Sequence, residues 1–272
     1  MGPARTLVPT SAVAALVFAA LLATSFASVK YAAANKLKRT HLPGISDQDQ
    51  RRPLLNPVAP WTAVGRVNRG TGGYCSGTLI APDKVLTAAH CLWNKRTNRW
   101  LRADALHFLA GYFRGAYIAY GKVRKLQLAF GVSMDRQGRP IDLAMDWAIL
   151  ILTAPMRGGA ILRPISLARA ADLIVLQTGT PLPQAGYSRD RAHMLTVVDR
   201  CHFLGWRKTR GGALLLHDCD ATFGDSGSPV LMNIDGDLKI VGIHVATWRK
   251  DGKDRGLAVR LPDALLKPND GR

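Results

Sequence analysis

Short apolar runs separated by turn signals follow one another along most of the chain. From Trp61 onward they fall at Ala63–Val67, Cys75–Ile80, Lys84–Leu86, Ala116–Tyr120, Trp147–Leu152, Thr196–Val198, Leu214–Leu216, Val230–Ile234, Leu238–Val245 and Leu257–Leu261. Their length, their β-branched content and the Gly, Pro, Asn and Asp between them predict strands, and their number predicts an all-β sandwich or barrel. Asp235-Gly236 between two such runs predicts a hairpin turn. Helical periodicity is scarce, and a short C-terminal helix is expected only near Pro262–Leu266. Proline and glycine cluster at Ala154–Pro164, a crossing between two halves at about 61–153 and 165–266.

The first 60 residues break the pattern. Leu7–Leu22 is almost wholly apolar, and Ser25 and Ala27 stand at positions −3 and −1 of a cleavage site after Ala27, so residues 1–27 read as a secretory signal peptide. Ala32 and Ala34 offer a second cleavage site. The competing reading is an uncleaved anchor over Leu7–Val29, the one circumstance that would place the protein on a membrane. Cleavage makes it secreted or periplasmic. Residues 28–60 are polar, charged and proline-punctuated, and are expected to be a linker or propeptide. Arg51-Arg52 is not taken as a processing site, because Pro53 follows it.

Composition changes this picture little. With 272 residues, 47% of them hydrophobic, the chain can bury a large core, and 26 glycines suit a turn-rich β fold. Net charge is +18, yet the basic residues form no single run and are not interleaved with aromatics. A solvated basic surface is the reading, with no specific nucleic-acid partner. Four cysteines in an exported chain predict disulfides, and spacing favours Cys75–Cys91 and Cys201–Cys219. The rival is a zinc site built from Cys201, His202, His217 and Cys219.

Three stretches carry the chemistry. Residues 87–91 read TAAHC, residues 146–152 read DWAILIL, and residues 224–229 read GDSGSP. A nucleophilic serine needs a base to take its proton and an acid to hold that base in one tautomer. His90, Asp146 and Ser226 supply these types in the order His, Asp, Ser. Asp142 is the competing acid; Asp146 is preferred because the six residues after it are all apolar, as in a strand entering the core. The glycines around Ser226 predict a sharp turn that aims the N–H groups of Gly224 and Ser226 at one point, an oxyanion hole.

The stretches SGTLIAPDKVLTAAHC (76–91) and DATFGDSGSPV (220–230), with AGYSRDR (185–191) between them, resemble the trypsin-like (chymotrypsin-fold) serine proteases across residues 61–266. The likeness is strongest to the bacterial branch that includes glutamyl endopeptidases. The resemblance implies two packed antiparallel β-barrels with Greek-key connections and a Cys75–Cys91 bridge stapling the histidine loop. It implies an exported serine endopeptidase acting on protein or peptide through His90 as base, Asp146 as orienting acid, Ser226 as nucleophile and an acyl-enzyme intermediate, with no cofactor and no metal. Alternatives are a catalytically idle binding protein on the same fold and a hydrolase of small esters. No Ile-Val-Gly-Gly start exists near Trp61–Gly65, so the N-terminal switch that animal members use to hold the acid matching Asp225 is not expected; an arginine or a backbone donor would hold it. Two residues compete for the specificity pocket. Asp220 matches the acid that receives Lys or Arg, and His244 matches a histidine that receives an acidic side chain. The reading leans towards basic residues. His41, His107, His193 and His217 are assigned ordinary surface or core roles.

Overall fold

The computed structural model describes Gly2 and residues 42–266; the leader expected at 1–27, the first part of the expected linker and His41 lie outside the described residues. A short strand, β1 (Arg52–Pro53), precedes the first barrel. That barrel contains β2 (Val64–Arg69), β3 (Tyr74–Ala81), β4 (Lys84–Thr87), β7 (Leu106–Ala110), β8 (Ala119–Leu128) and β9 (Ala148–Leu152), with a small hairpin of β5 (Trp93–Asn94) and β6 (Arg99–Trp100) between β4 and β7. All its pairs are antiparallel, and it closes in the order β2-β3-β4-β9-β8-β7, the last strand pairing back onto the first. Two neighbours, β4 with β9 and β2 with β7, are not consecutive in the chain, which is the Greek-key feature. Closure leaves no unpaired edge in this barrel.

Seven further strands build the second half. In chain order its strands are β10 (Gln184–Gly186), β11 (Thr196–Val198), β12 (Phe203–Thr209), β13 (Gly212–His217), β14 (Pro229–Ile234), β15 (Asp237–Lys250) and β16 (Lys253–Val259). They form one sheet in the order β1-β11-β10-β14-β15-β16-β13-β12. The sheet also rolls up. The stretch leading into β10 bonds to the start of β12 through Leu182 N–H to Cys201 O (2.8 Å) and Phe203 N–H to Thr180 O (2.8 Å). The architecture is thus the double β-barrel expected for the chain. Asp235 and Gly236 both take positive φ in the β14–β15 hairpin, and Asn233 Oδ1 accepts the Gly236 N–H.

The strand expected at Ala116–Tyr120 lies instead at Ala119–Leu128, and strands over Leu106–Ala110 and Phe203–Thr209 were not foreseen. In β8 a buried Val123 sits between exposed Lys122 and Arg124, so one face carries charge and no apolar run marks the strand. The C-terminal helix is one 3-10 turn, Asp263–Leu266. Residues 42–60, read as linker or propeptide, are tied to the second half at several points. β1 adds to the edge at β11, and Arg51 is buried between Asp49 and Asp190 with N–O distances of 2.8–2.9 Å. The bridges Cys75–Cys91 and Cys201–Cys219 are both formed.

Candidate active site

Register places the base beside the acid. In the β4–β9 pair Thr87 lies opposite Ala148, so the residues after Thr87 and before Ala148 leave the barrel at the same end. His90 stands on the 3-10 turn Ala89–Leu92 beyond β4, and Asp146 ends the turn Leu143–Met145 before β9. Asp146 is fully buried; its Oδ1 accepts the His90 backbone N–H (2.8 Å) and its Oδ2 lies 2.6 Å from His90 Nδ1. This fixes the ring and places the proton on Nδ1, leaving Nε2 to accept. Asp142 is elsewhere: it caps its own turn through Ala144 N–H (2.9 Å) and accepts the Gly211 N–H (2.6 Å).

Ser226 comes from the second half, in the turn before β14, and shares with His90 a cavity of about 400 Å³. No hydrogen bond joins its hydroxyl to His90 in this structure. The backbone around it is tightly anchored. The Phe223 carbonyl accepts the Arg189 N–H (2.6 Å) and the Asp225 carbonyl accepts the Ser228 N–H (2.9 Å). In a planar trans peptide the N–H points opposite to the carbonyl. Gly224 N–H and Ser226 N–H are therefore turned away from those anchors, and among the described residues neither has an acceptor. Gly224 has φ +98°, and a Cβ there would collide with the backbone of Tyr187 and Arg189; at Gly227 (φ +82°) it would collide with Ser76 and Thr87. Only glycine fits either place.

Asp225 turns into the interior. Its Oδ2 accepts Ser188 Oγ–H (2.6 Å) and Thr222 N–H (2.9 Å), so a hydroxyl and a backbone donor hold it. Burial pushes its pKa up to about 6 against these two bonds and the nearby charge of Arg51, which pull it down.

The two candidates for the specificity pocket part company. Asp220 lies under the 44–50 segment and accepts Ser46 N–H (2.7 Å), Ser46 Oγ–H (3.1 Å) and Gln50 N–H (2.7 Å); it does not line the cavity. A cationic side chain would find no carboxylate there, since neither Asp nor Glu lines the cavity, whereas Arg69, Lys95, Arg189 and His244 do. The lean towards basic residues thus loses its receiving group. His244 is buried beside His217, a residue given an ordinary role from the sequence. His217 Nδ1 accepts the Cys219 N–H (3.2 Å), so its proton sits on Nε2, 3.2 Å from His244 Nδ1. His244 must then accept at Nδ1 and carry its proton on Nε2, a donor with no protein acceptor among the described residues. Burial keeps both rings neutral, with the pKa of His244 lowered to about 3 and that of His217 well below the usual range. His244 was marked by its resemblance to a pocket histidine, while nothing in the sequence marked His217 as its partner.

The zinc set of Cys201, His202, His217 and Cys219 does not fit. Both sulfurs are joined in a disulfide, and His217 spends its nitrogens on Cys219 N–H and His244. The grouping of Cys75, His90 and Cys91 likewise contains a disulfide and offers no thiolate.

Comparisons with known proteins bear on the family and the fold. The family model described as Trypsin matches residues 50–265. A modular serine protease of Drosophila melanogaster is 30% identical over 130 residues, 43% of this chain; the chain spans only 20% of that protein's length. A solved structure of a Glu endopeptidase in complex with MPD superposes with a TM-score of 0.61 at 22% identity, covering 79% of this chain and 93% of its own, a likeness of fold. Matched over most of its length by that family model, and folded as the family folds, the chain belongs to the trypsin family of serine proteases.

Proposed function

We propose that the protein is an exported serine endopeptidase, with Ser226 as nucleophile, His90 as general base and then acid, and Asp146 as the group that orients and stabilises the imidazole. The observation that carries this is the doubly bonded His90–Asp146 pair opening onto the cavity where Ser226 lies between two unclaimed N–H groups. Ser226 Oγ attacks the scissile carbonyl as His90 Nε2 takes its proton, and the oxygen gains negative charge towards Gly224 and Ser226 N–H. Collapse breaks the C–N bond, His90 returns the proton to the leaving amine, and water repeats the sequence to release the acid. One such N–H typically contributes about 3 kcal/mol to the transition state. A sulfonyl fluoride or fluorophosphonate probe should label Ser226 and abolish peptide hydrolysis. A chain that is neither labelled nor active on any peptide would be the idle binding protein instead, and labelling with activity confined to small esters would mark the ester hydrolase.

The same cavity favours an acidic side chain before the cut. His244 offers an N–H there, cationic residues surround it, and no carboxylate opposes it. This is in keeping with the Glu endopeptidase among the structural neighbours. Profiling a peptide library should show cleavage after Glu or Asp; cleavage confined to Lys and Arg would refute the assignment.

A further inference from the structure

The cavity around Ser226 has two unlike walls. One contains His244, Val245, Ala246 and Thr247 of β15, the other Arg69, Tyr74, Arg189 and Phe223. The second wall is cationic without compensation. Arg51, Arg52, Arg102 and Arg191 all reach carboxylates. Arg69 and Arg189 have none among the described residues. With 37 basic residues against 19 acidic ones, unpaired arginines are common in this chain. Two of them in one cavity, close enough to repel, are not explained by that surplus.

Their placement is built rather than incidental. Arg69 ends β2, and its backbone closes a turn onto Gly73 (N–H to O, 3.2 Å). The Arg69 guanidinium packs against Gly73, whose φ of +77° suits the turn. Arg69 Nε is buried with no hydrogen-bond partner, an orphan donor of the kind that calls for a ligand or another explanation. Arg189 is positioned through its N–H on the Phe223 carbonyl (2.6 Å), and its guanidinium lies over the Phe223 ring at 5.4 Å. Tyr74 OH donates to Ser188 O (3.3 Å) and ties the two sides of the wall together. Burial lowers the pKa of Arg69, and the charge of Arg189 lowers it further; an anion between the two would relieve both effects.

We propose that Arg69 and Arg189 form a second anion-binding subsite that takes the carboxylate of an acidic residue following the scissile bond. The inference rests on the endopeptidase reading above. If His244 on β15 receives the residue before the cut, the arginine cluster, which shares the cavity but not that strand, is left to receive residues after it. Two forked guanidinium groups suit a carboxylate, which can accept from both.

The test compares two sets of peptides identical up to the cut, differing only in Glu against Gln at the two positions after it. The ratio of kcat/KM within each pair is expected to favour Glu by roughly tenfold or more, from a charge-assisted bond of about 1.5–3 kcal/mol. Arg69→Gln and Arg189→Gln should each shrink that ratio, and Arg189→Glu should turn the preference towards Lys at the same position. Working with ratios cancels any general loss of activity or folded fraction. Equal rates for Glu and Gln peptides, or a ratio untouched by all three substitutions, would overturn the subsite while leaving the endopeptidase standing. No cleavage of any peptide would overturn both.

Discussion

Among single residues, the two neighbouring aspartates make the sharpest contrast. Asp146 holds His90 by ring and backbone, whereas Asp142 only caps a turn and ties it to Gly211. Asp146→Asn should cost kcat about 10⁴-fold, a size established for the trypsin family itself. Asp142→Asn should change kcat little and stability by about 1 kcal/mol, because the amide keeps one acceptor oxygen and gives up one of the two hydrogen bonds; steady-state kinetics on the two variants decide it, and the opposite ranking would move the acid to Asp142. Asp225 makes a different prediction. Its carboxyl ionises near 3.8 when unfolded and at about 6 when folded. Between those values the native state binds the extra proton, so Asp225's contribution to stability is complete below pH 3.8 and is lost as pH rises to 6, by up to about 3 kcal/mol. Urea midpoints of the wild type and Asp225→Asn across pH 4–7 should therefore diverge in slope below pH 6 and run parallel above it. Parallel curves throughout would show that Asp225 is not perturbed in this way.

Elements differ in how plainly the sequence announced them. β9 was legible because all five of its residues are buried, and it reads as an unbroken apolar run. β8 was not, since it turns one face to water and fills it with Lys and Arg, and neither was β12, where consecutive exposed residues Trp206–Lys208 leave no alternation to read. The site divides along a similar line. Ser226 sits in a turn whose glycines are dictated by backbone collisions, and His90 and Asp146 sit in short turns next to the apolar strands β4 and β9, so local sequence betrays them. The His217–His244 relay, the fate of Asp220 and the Arg69–Arg189 pair depend on contacts between distant segments, which no spacing encodes. The 42–53 segment is the clearest case. Its charges looked like linker, yet Arg51 is held by Asp49 and Asp190, while Ser46 and Gln50 occupy Asp220. Arg51→Gln removes the buried cation between Asp49 and Asp190 and leaves them Arg191 alone, so it should destabilise the fold by about 2 kcal/mol, less than breaking a fully buried pair. A denaturant midpoint unchanged from wild type would mean that the segment is only draped over the barrel.

For the molecule as a whole, the charge of +18 acts on any substrate before contact, and the cavity has no carboxylate to offset it. Such a field speeds the encounter with anions and slows it with cations, and salt screens it, the Debye length shrinking from about 30 Å at 0.01 M to about 10 Å at 0.1 M. Long-range steering and short-range recognition can then be separated. Steering should make kcat/KM for acidic peptides fall as salt rises over this range, leave kcat nearly constant, and scarcely touch a neutral peptide. Contacts at His244, Arg69 and Arg189 are short and partly enclosed, so an acidic preference built on them should persist in 0.5 M salt, reduced but not lost. If the preference vanished entirely in high salt, it would belong to the overall charge and not to the cavity, and the His244 and arginine-wall assignments would fail together. A preference indifferent to salt would leave the surplus of basic residues without a part in substrate capture.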